Sequence, residues 1–221
     1  MKKSDFYPFS SVLWITILGV LYAVGAVGMP MEGFKAFLLP MTPVLLILTT
    51  GLLTFFQLEK DKMFWLVLLF VFVGSIVLEI AGVSTGVIFG EYVYGDTLGP
   101  KVYGVPVMIG VNWVMLVLAT GMISMRLHLK WWKKAVVAAS LMVFLDMWME
   151  PLCGYMDMWY WDSGSAPVKN YLAWWAAAFV FQVIFQRAYV KRMSYYPDNP
   201  LAFAVWLYQF LFFAVINLII A

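Results

Sequence analysis

The chain has 221 residues, of which 64% are hydrophobic, 19% aromatic and only 12% charged, and its mean hydropathy is +0.89. Such an apolar share excludes an ordinary water-soluble domain and predicts an all-α integral membrane protein. The net charge is +2, and no basic run has the density of a nucleic-acid footprint, so no nucleic-acid partner is expected.

Apolar runs near 10–28, 38–58, 63–81, 105–125, 135–151, 170–187 and 201–220 stand out along the chain. Each approaches the roughly 17 to 25 residues that a helix needs to cross a hydrocarbon core of about 30 Å. They predict about seven transmembrane helices forming a single polytopic membrane domain over 1–221. The first run holds a tyrosine and several glycines and lacks a small-residue cleavage site, so it reads as a retained helix rather than a signal peptide. Pro40 and Pro43 open the second run, where an early turn tolerates proline. Glu59, Lys60, Asp61 and Lys62 then form a solvated link.

The third run starts at Met63, carries Trp65 at an aromatic-belt position, and brings Glu79 to its outer end. Gly82, Gly86 and Gly90 follow at four-residue spacing. They admit two readings: a small-residue face for close helix contact, or backbone folding back as a re-entrant or outer loop. The turn signals of YVYGDTLGPKVYG (92–104) favour the second. The fourth helix begins near Pro106 and places Asn112 and Trp113 about two turns below the outer surface. The only histidine, His128, falls in the basic link after it and reads as a solvated surface group; a histidine-rich metal site is excluded.

Asp146 and Glu150 lie four residues apart in the outer half of the fifth helix, so both carboxyls share one face. Ionisable groups inside a membrane are costly and mark function by default. Lone Cys153 reads as a small apolar filler. Trp159, Tyr160 and Trp161 follow in the next link, and Asn170, Tyr171, Trp174 and Trp175 open the sixth helix, again at the outer face. The seventh is almost wholly apolar.

Lysine and arginine in short loops mark the cytoplasmic side. With the N-terminus inside, Lys2, Lys3, Lys60, Lys62, Arg126, Lys130, Lys133, Lys134, Arg187, Lys191 and Arg192 are cytoplasmic, leaving Lys35, Lys101 and Lys169 outside. The expected location is a bacterial-type cytoplasmic membrane with the C-terminus outside. Under this topology Glu79, Asn112, Asp146, Glu150, Trp159, Trp161 and Asn170 converge in the outer half.

Carboxyls at helix C-termini meet desolvation and the negative end of the macrodipole, and both disfavour the anion. A carboxyl that keeps its proton is a general acid. With no redox motif, no metal ligands and an apolar setting, the suited reaction is protonation of a carbon–carbon double bond in a lipid-soluble molecule. Ring faces near the resulting cation would stabilise it by about 0.5 to 2 kcal/mol each. Tyr92, Tyr94, Trp113, Trp159 and Trp161 are the candidates.

In chain order, Glu79 with GVSTGVIFG (82–90), YVYG (92–95), LG (98–99), GVP (104–106), Asn112-Trp113, Asp146 with Glu150-Pro151, Trp159 with Trp161, and Asn170-Tyr171 make a set over about 80–175. That set resembles the membrane carotenoid hydratase family of the CruF-like carotenoid-biosynthesis type. The resemblance implies addition of water across the terminal 1,2 double bond of an acyclic carotenoid, with no cofactor consumed. The partners implied are the apolar carotenoid, water and membrane lipids. Asp146 is the expected proton donor, with Glu79, Glu150 or Asn112 holding the water, and Tyr92, Tyr94, Trp113, Trp159, Trp161 and Asn170 facing the substrate. Two other readings stay open: a carotenoid end-group cyclase, which makes the same first protonation, and a non-catalytic carotenoid- or lipid-binding membrane protein.

Overall fold

The computed structural model describes residues 3–190 and 199–220, with side chains from residue 10 onward. Lys2, Lys191 and Arg192 of the basic set lie outside the described residues, as does the side chain of Lys3. Among the described residues seven helices are long and apolar enough to cross a membrane: Ser10–Gly28, Glu32–Phe55, Lys62–Thr85, Val107–Met125, Trp131–Leu152, Val168–Tyr189 and Leu201–Ile220. The protein is an all-α integral membrane protein.

The elements in order are α1 (Lys3–Gly28), α2 (Glu32–Leu38), α3 (Thr42–Phe55), α4 (Lys62–Thr85), β1 (Tyr92–Tyr94), β2 (Lys101–Val102), β3 (Val105–Pro106), α5 (Val107–Met125), α6 (Trp131–Met149), β4 (Trp159–Trp161), α7 (Val168–Ile184) and α8 (Leu201–Ile220). Helix α5 is the hub: it packs against α3, α4, α6 and α8, and 72% of its most apolar stretch is buried. Its small residues permit this approach. A side chain at Gly110 would strike Phe72 of α4, and one at Gly121 would strike Phe185 beyond α7. Helix α1 lies along α8, and α6 along α7.

Helix α4 shows how a helix that is apolar all round still chooses a face. Phe64, Val67, Leu68, Val71, Ser75, Glu79 and Gly82 recur every three or four residues and are buried, while Leu66, Leu69, Phe70, Val73 and Val77 are exposed. Glu79 therefore points into the bundle. This carboxylate sits on the packed stripe.

Several boundaries shift from the sequence expectation, by up to six residues, the start of the fifth span from 135 to Trp131 among them, and two of the shifts have a backbone cause. The second span begins at Glu32, and Pro40 falls inside it. Lacking an N–H, that proline breaks the helical ladder, and a 3₁₀ turn (Leu39–Met41) joins α2 to α3. The third span runs on to Thr85, where Gly86 at φ 64° ends it by donating its N–H to the Gly82 carbonyl. The chain beyond Gly86 folds back over the end of α4, as the second reading has it, and Gly82 makes room for the ring of Phe89 in that returning segment rather than for another helix. Lys169 at the start of α7 donates to the Gly86 carbonyl at 3.0 Å, tying the loop down.

Candidate active site

Strands β1 and β4 form an antiparallel pair in which Tyr92 faces Trp161, Val93 faces Tyr160, and Tyr94 faces Trp159. Side chains alternate across a strand, so the two tyrosines and two tryptophans share one face. Val93 and Tyr160 take the other face and are 62% and 45% exposed. The ribbon extends by backbone bonds from Gly95 to Met158 and from Asp162 to Glu91. It covers the end of the bundle where α4 and α6 stop.

From its inner face each acidic helix end receives a pair of donors. Tyr92 and Tyr94 donate their hydroxyls to Glu79 Oε2 at 2.6 and 2.9 Å, and Trp113 of α5 donates its indole N–H to Oε1 at 3.3 Å. Trp161 and Trp159 donate to Glu150 Oε2 at 2.8 and 3.3 Å, and the Asn170 amide of α7 donates to Oε1 at 3.1 Å. Burial, followed by the neighbouring Glu79, pushes the Tyr92 and Tyr94 phenols up from their ordinary value, so both keep the proton they donate. Three donors per carboxyl fix its direction and leave it little capacity for a further partner. Ring packing keeps the donors aimed: Tyr92 lies 4.9 Å from Trp161 between centroids, and Trp113 stacks on Trp174 at 4.1 Å.

Asp146 is different. It is 1% exposed, and neither carboxyl oxygen has a hydrogen-bond partner among the described residues. It borders a cavity of about 410 Å³ together with Asn112, one turn of α5 from the hub's core. The rest of the wall is mostly apolar, with Tyr22, Thr42 and Gln209 as further polar members, and is drawn from α1, α2, α3, α5, α6 and α8, with Trp159 closing the ribbon end. Leu21 and Val24 of α1, Phe37 of α2, and Met41 and Val44 at the start of α3 line the cavity and are also exposed on the outer surface. The cavity therefore opens sideways, between α1 and α3, toward lipid.

The sequence candidates thus fall into two groups. Asp146, Asn112 and Trp159 line the cavity. Glu79, Glu150, Tyr92, Tyr94, Trp113, Trp161 and Asn170 form the hydrogen-bonded layer beside it. Asp146 is within electrostatic reach of both glutamates. Among the described residues no group of three or more His, Cys, Asp or Glu side chains is placed to hold a metal ion. His128 is exposed in its link, and Cys153 is buried with its thiol on the Met149 carbonyl at 3.3 Å.

A family model for carotenoid biosynthesis proteins matches residues 41–221, which takes in every residue of the ribbon and all three carboxyls. The chain belongs to that family. Its role is in carotenoid biosynthesis. The match leaves out α1 and α2, which supply half of the cavity's mouth. The comparisons with curated proteins and with solved structures return no match.

Sequence reasoning passed over Gln209. It lines the cavity and is 6% exposed. The signal was available: it is an amide in the middle of α8, LAFAVWLYQFLFFAVINLII, whose neighbours are all apolar or aromatic.

Proposed function

We propose that the protein is a carotenoid hydratase acting on the terminal 1,2 double bond of an acyclic end group. One observation carries the reading: a buried carboxyl with no donor within reach faces an apolar cavity that opens toward lipid. A carboxyl so placed is suited to the neutral, proton-carrying form, because nothing offsets the desolvation of its anion. An acyclic end group enters from the bilayer between α1 and α3 and lays its double bond against Asp146. The Asp146 proton goes to C2, the π electrons form the new C–H bond, and a tertiary cation is left at C1. Glu79 and Glu150, held in direction by the ribbon, present carboxyl dipoles beside the water-poor interior in which that cation forms. The Trp159 ring closes the cavity beside it. Water then forms the C1–O bond, and its surplus proton returns to Asp146, so no cofactor is consumed. The site occupies the end of the bundle that carries Lys35, Lys101 and Lys169, which in the topology proposed here is the outer half of a bacterial-type cytoplasmic membrane.

The predominantly apolar wall also suits the second reading, an end-group cyclase, in which the same protonation precedes ring closure. Expression in a host that accumulates lycopene or another acyclic carotenoid separates the two. The expected pigment is heavier by one water. An isomer of unchanged mass would establish the cyclase, and unaltered pigment with the protein present in the membrane would overturn both.

A further inference from the structure

We infer that Gln209, backed by Tyr22 and Thr49, holds the water that is captured by the cation; this rests on the hydratase reading above. Apolar cavities stay dry, and a water inside one needs two to four polar partners. In this cavity the polar side chains are few. Asp146 and Asn112 form one group; Gln209 and Tyr22 form another, with Thr42 near the mouth. The glutamates are poor water holders here, since their oxygens already accept six hydrogen bonds from phenols, indoles and an amide. Neither borders the cavity.

The Gln209 group is loosely bonded and faces the space. The Gln209 Nε2 donates to Tyr22 Oη at 3.4 Å and to Met115 Sδ at 3.1 Å, and Tyr22 Oη shares a 3.4 Å hydrogen bond with Thr49 Oγ1. These oxygen contacts are long beside the usual 2.9 Å or so, leaving room for a closer partner. Among the described residues the Gln209 carbonyl Oε1 accepts no hydrogen bond, and the residue lines the cavity. An intramembrane amide in so apolar a helix is costly to keep for packing alone. Its position fits the task. Gln209 touches Met115 of α5, the helix that also carries Asn112, and both amide residues line the cavity. A water on Gln209 Oε1 keeps a lone pair free for an end group held against Asp146 in the same cavity.

Each step balances. Asp146 gives its proton to C2; the water oxygen gives an electron pair to C1; the oxonium proton passes to the Asp146 carboxylate. Gln209 neither gains nor loses a proton. Its removal should therefore spare protonation and suppress capture, so that the cation reverts to alkene by losing a proton.

The test uses the full-length protein in membranes of an acyclic-carotenoid host, transferred to D₂O, with pigments read by mass spectrometry. Wild type should give hydrated product bearing one carbon-bound deuterium. Gln209→Met, which keeps the side chain's length, should give at least ten-fold less hydrated product while the recovered unhydrated carotenoid gains carbon-bound deuterium. Gln209→Asn should recover part of the hydration, and Tyr22→Phe should shift the ratio of hydration to deuteration in the same direction but less. Hydration by Gln209→Met at the wild-type rate overturns the assignment. So does loss of hydration without deuterium in the recovered carotenoid, because protonation then depends on Gln209 too. If wild type itself neither hydrates nor deuterates, the hydratase reading falls first and this one with it; if wild type deuterates without hydrating, the cavity protonates but captures no water.

Discussion

Glu150 and Asp146 sit one helical turn apart and are both buried, yet their surroundings are opposite. The first accepts three hydrogen bonds from a ribbon and a neighbouring helix, and the second accepts none. Glu79 repeats the pattern of Glu150 with donors from the other strand of the same ribbon. A carboxyl supplied with donors is fixed in direction. One left bare at a cavity wall is free to exchange its proton with whatever enters. The contrast separates the groups that shape the site from the group that reacts in it.

The largest expected effect breaks the contrast at Asp146. Asp146→Asn should lower hydration by about 10²- to 10⁴-fold, the usual weight of a general acid, with no loss of thermal stability in detergent because no hydrogen bond is removed. Activity assayed beside a thermal melt checks both halves. Glu79→Gln and Glu150→Gln should behave the other way, losing about 1 to 3 kcal/mol of stability as the three donors on each face one acceptor oxygen fewer. Their activity should fall with the order of the ribbon. Equal melting temperatures for all three variants would erase the distinction.

A finer effect lies within the ribbon. Trp161→Phe removes a 2.8 Å bond and Trp159→Phe a 3.3 Å bond to the same Glu150 oxygen, so the first should destabilise more, by about 1 kcal/mol. Trp159→Phe should in turn affect substrate turnover more, since Trp159 alone of the pair lines the cavity. The smallest effect is expected at the opposite end of the bundle. His128→Ala should change stability by less than about 0.5 kcal/mol and leave activity intact, because the side chain is exposed in its link.

Much of this architecture was legible in the sequence because bilayer thickness sets the length of an apolar run. All seven spans follow from that one constraint, and two of the shifted edges lie beside Pro40 and Gly86, where backbone chemistry overrides composition. The convergence of Glu79, Asp146 and Glu150 was also readable, since helices of alternating direction bring their acidic ends to one side. The ribbon was harder. Its strands are three residues each and pair across more than 60 positions of chain, as Tyr94 with Trp159 shows. Their aromatics compete with the ordinary signal of a membrane interface. The clue was alternation: YVY and WYW each place hydrogen-bond donors at every second residue, as a strand presenting one face requires. Gln209 went unseen for the opposite reason, being one of two amides, with Asn217, in a helix read for its apolar length.

The central claim is that a carboxyl at this cavity protonates an acyclic carotenoid and water completes the addition. Its most direct test is the wild-type protein incubated in D₂O with one acyclic carotenoid, the product being analysed after back-exchange in H₂O. The account predicts one water added and one deuterium retained on carbon at C2. A hydrated product with no carbon-bound deuterium, or deuterium at a different carbon, would contradict it.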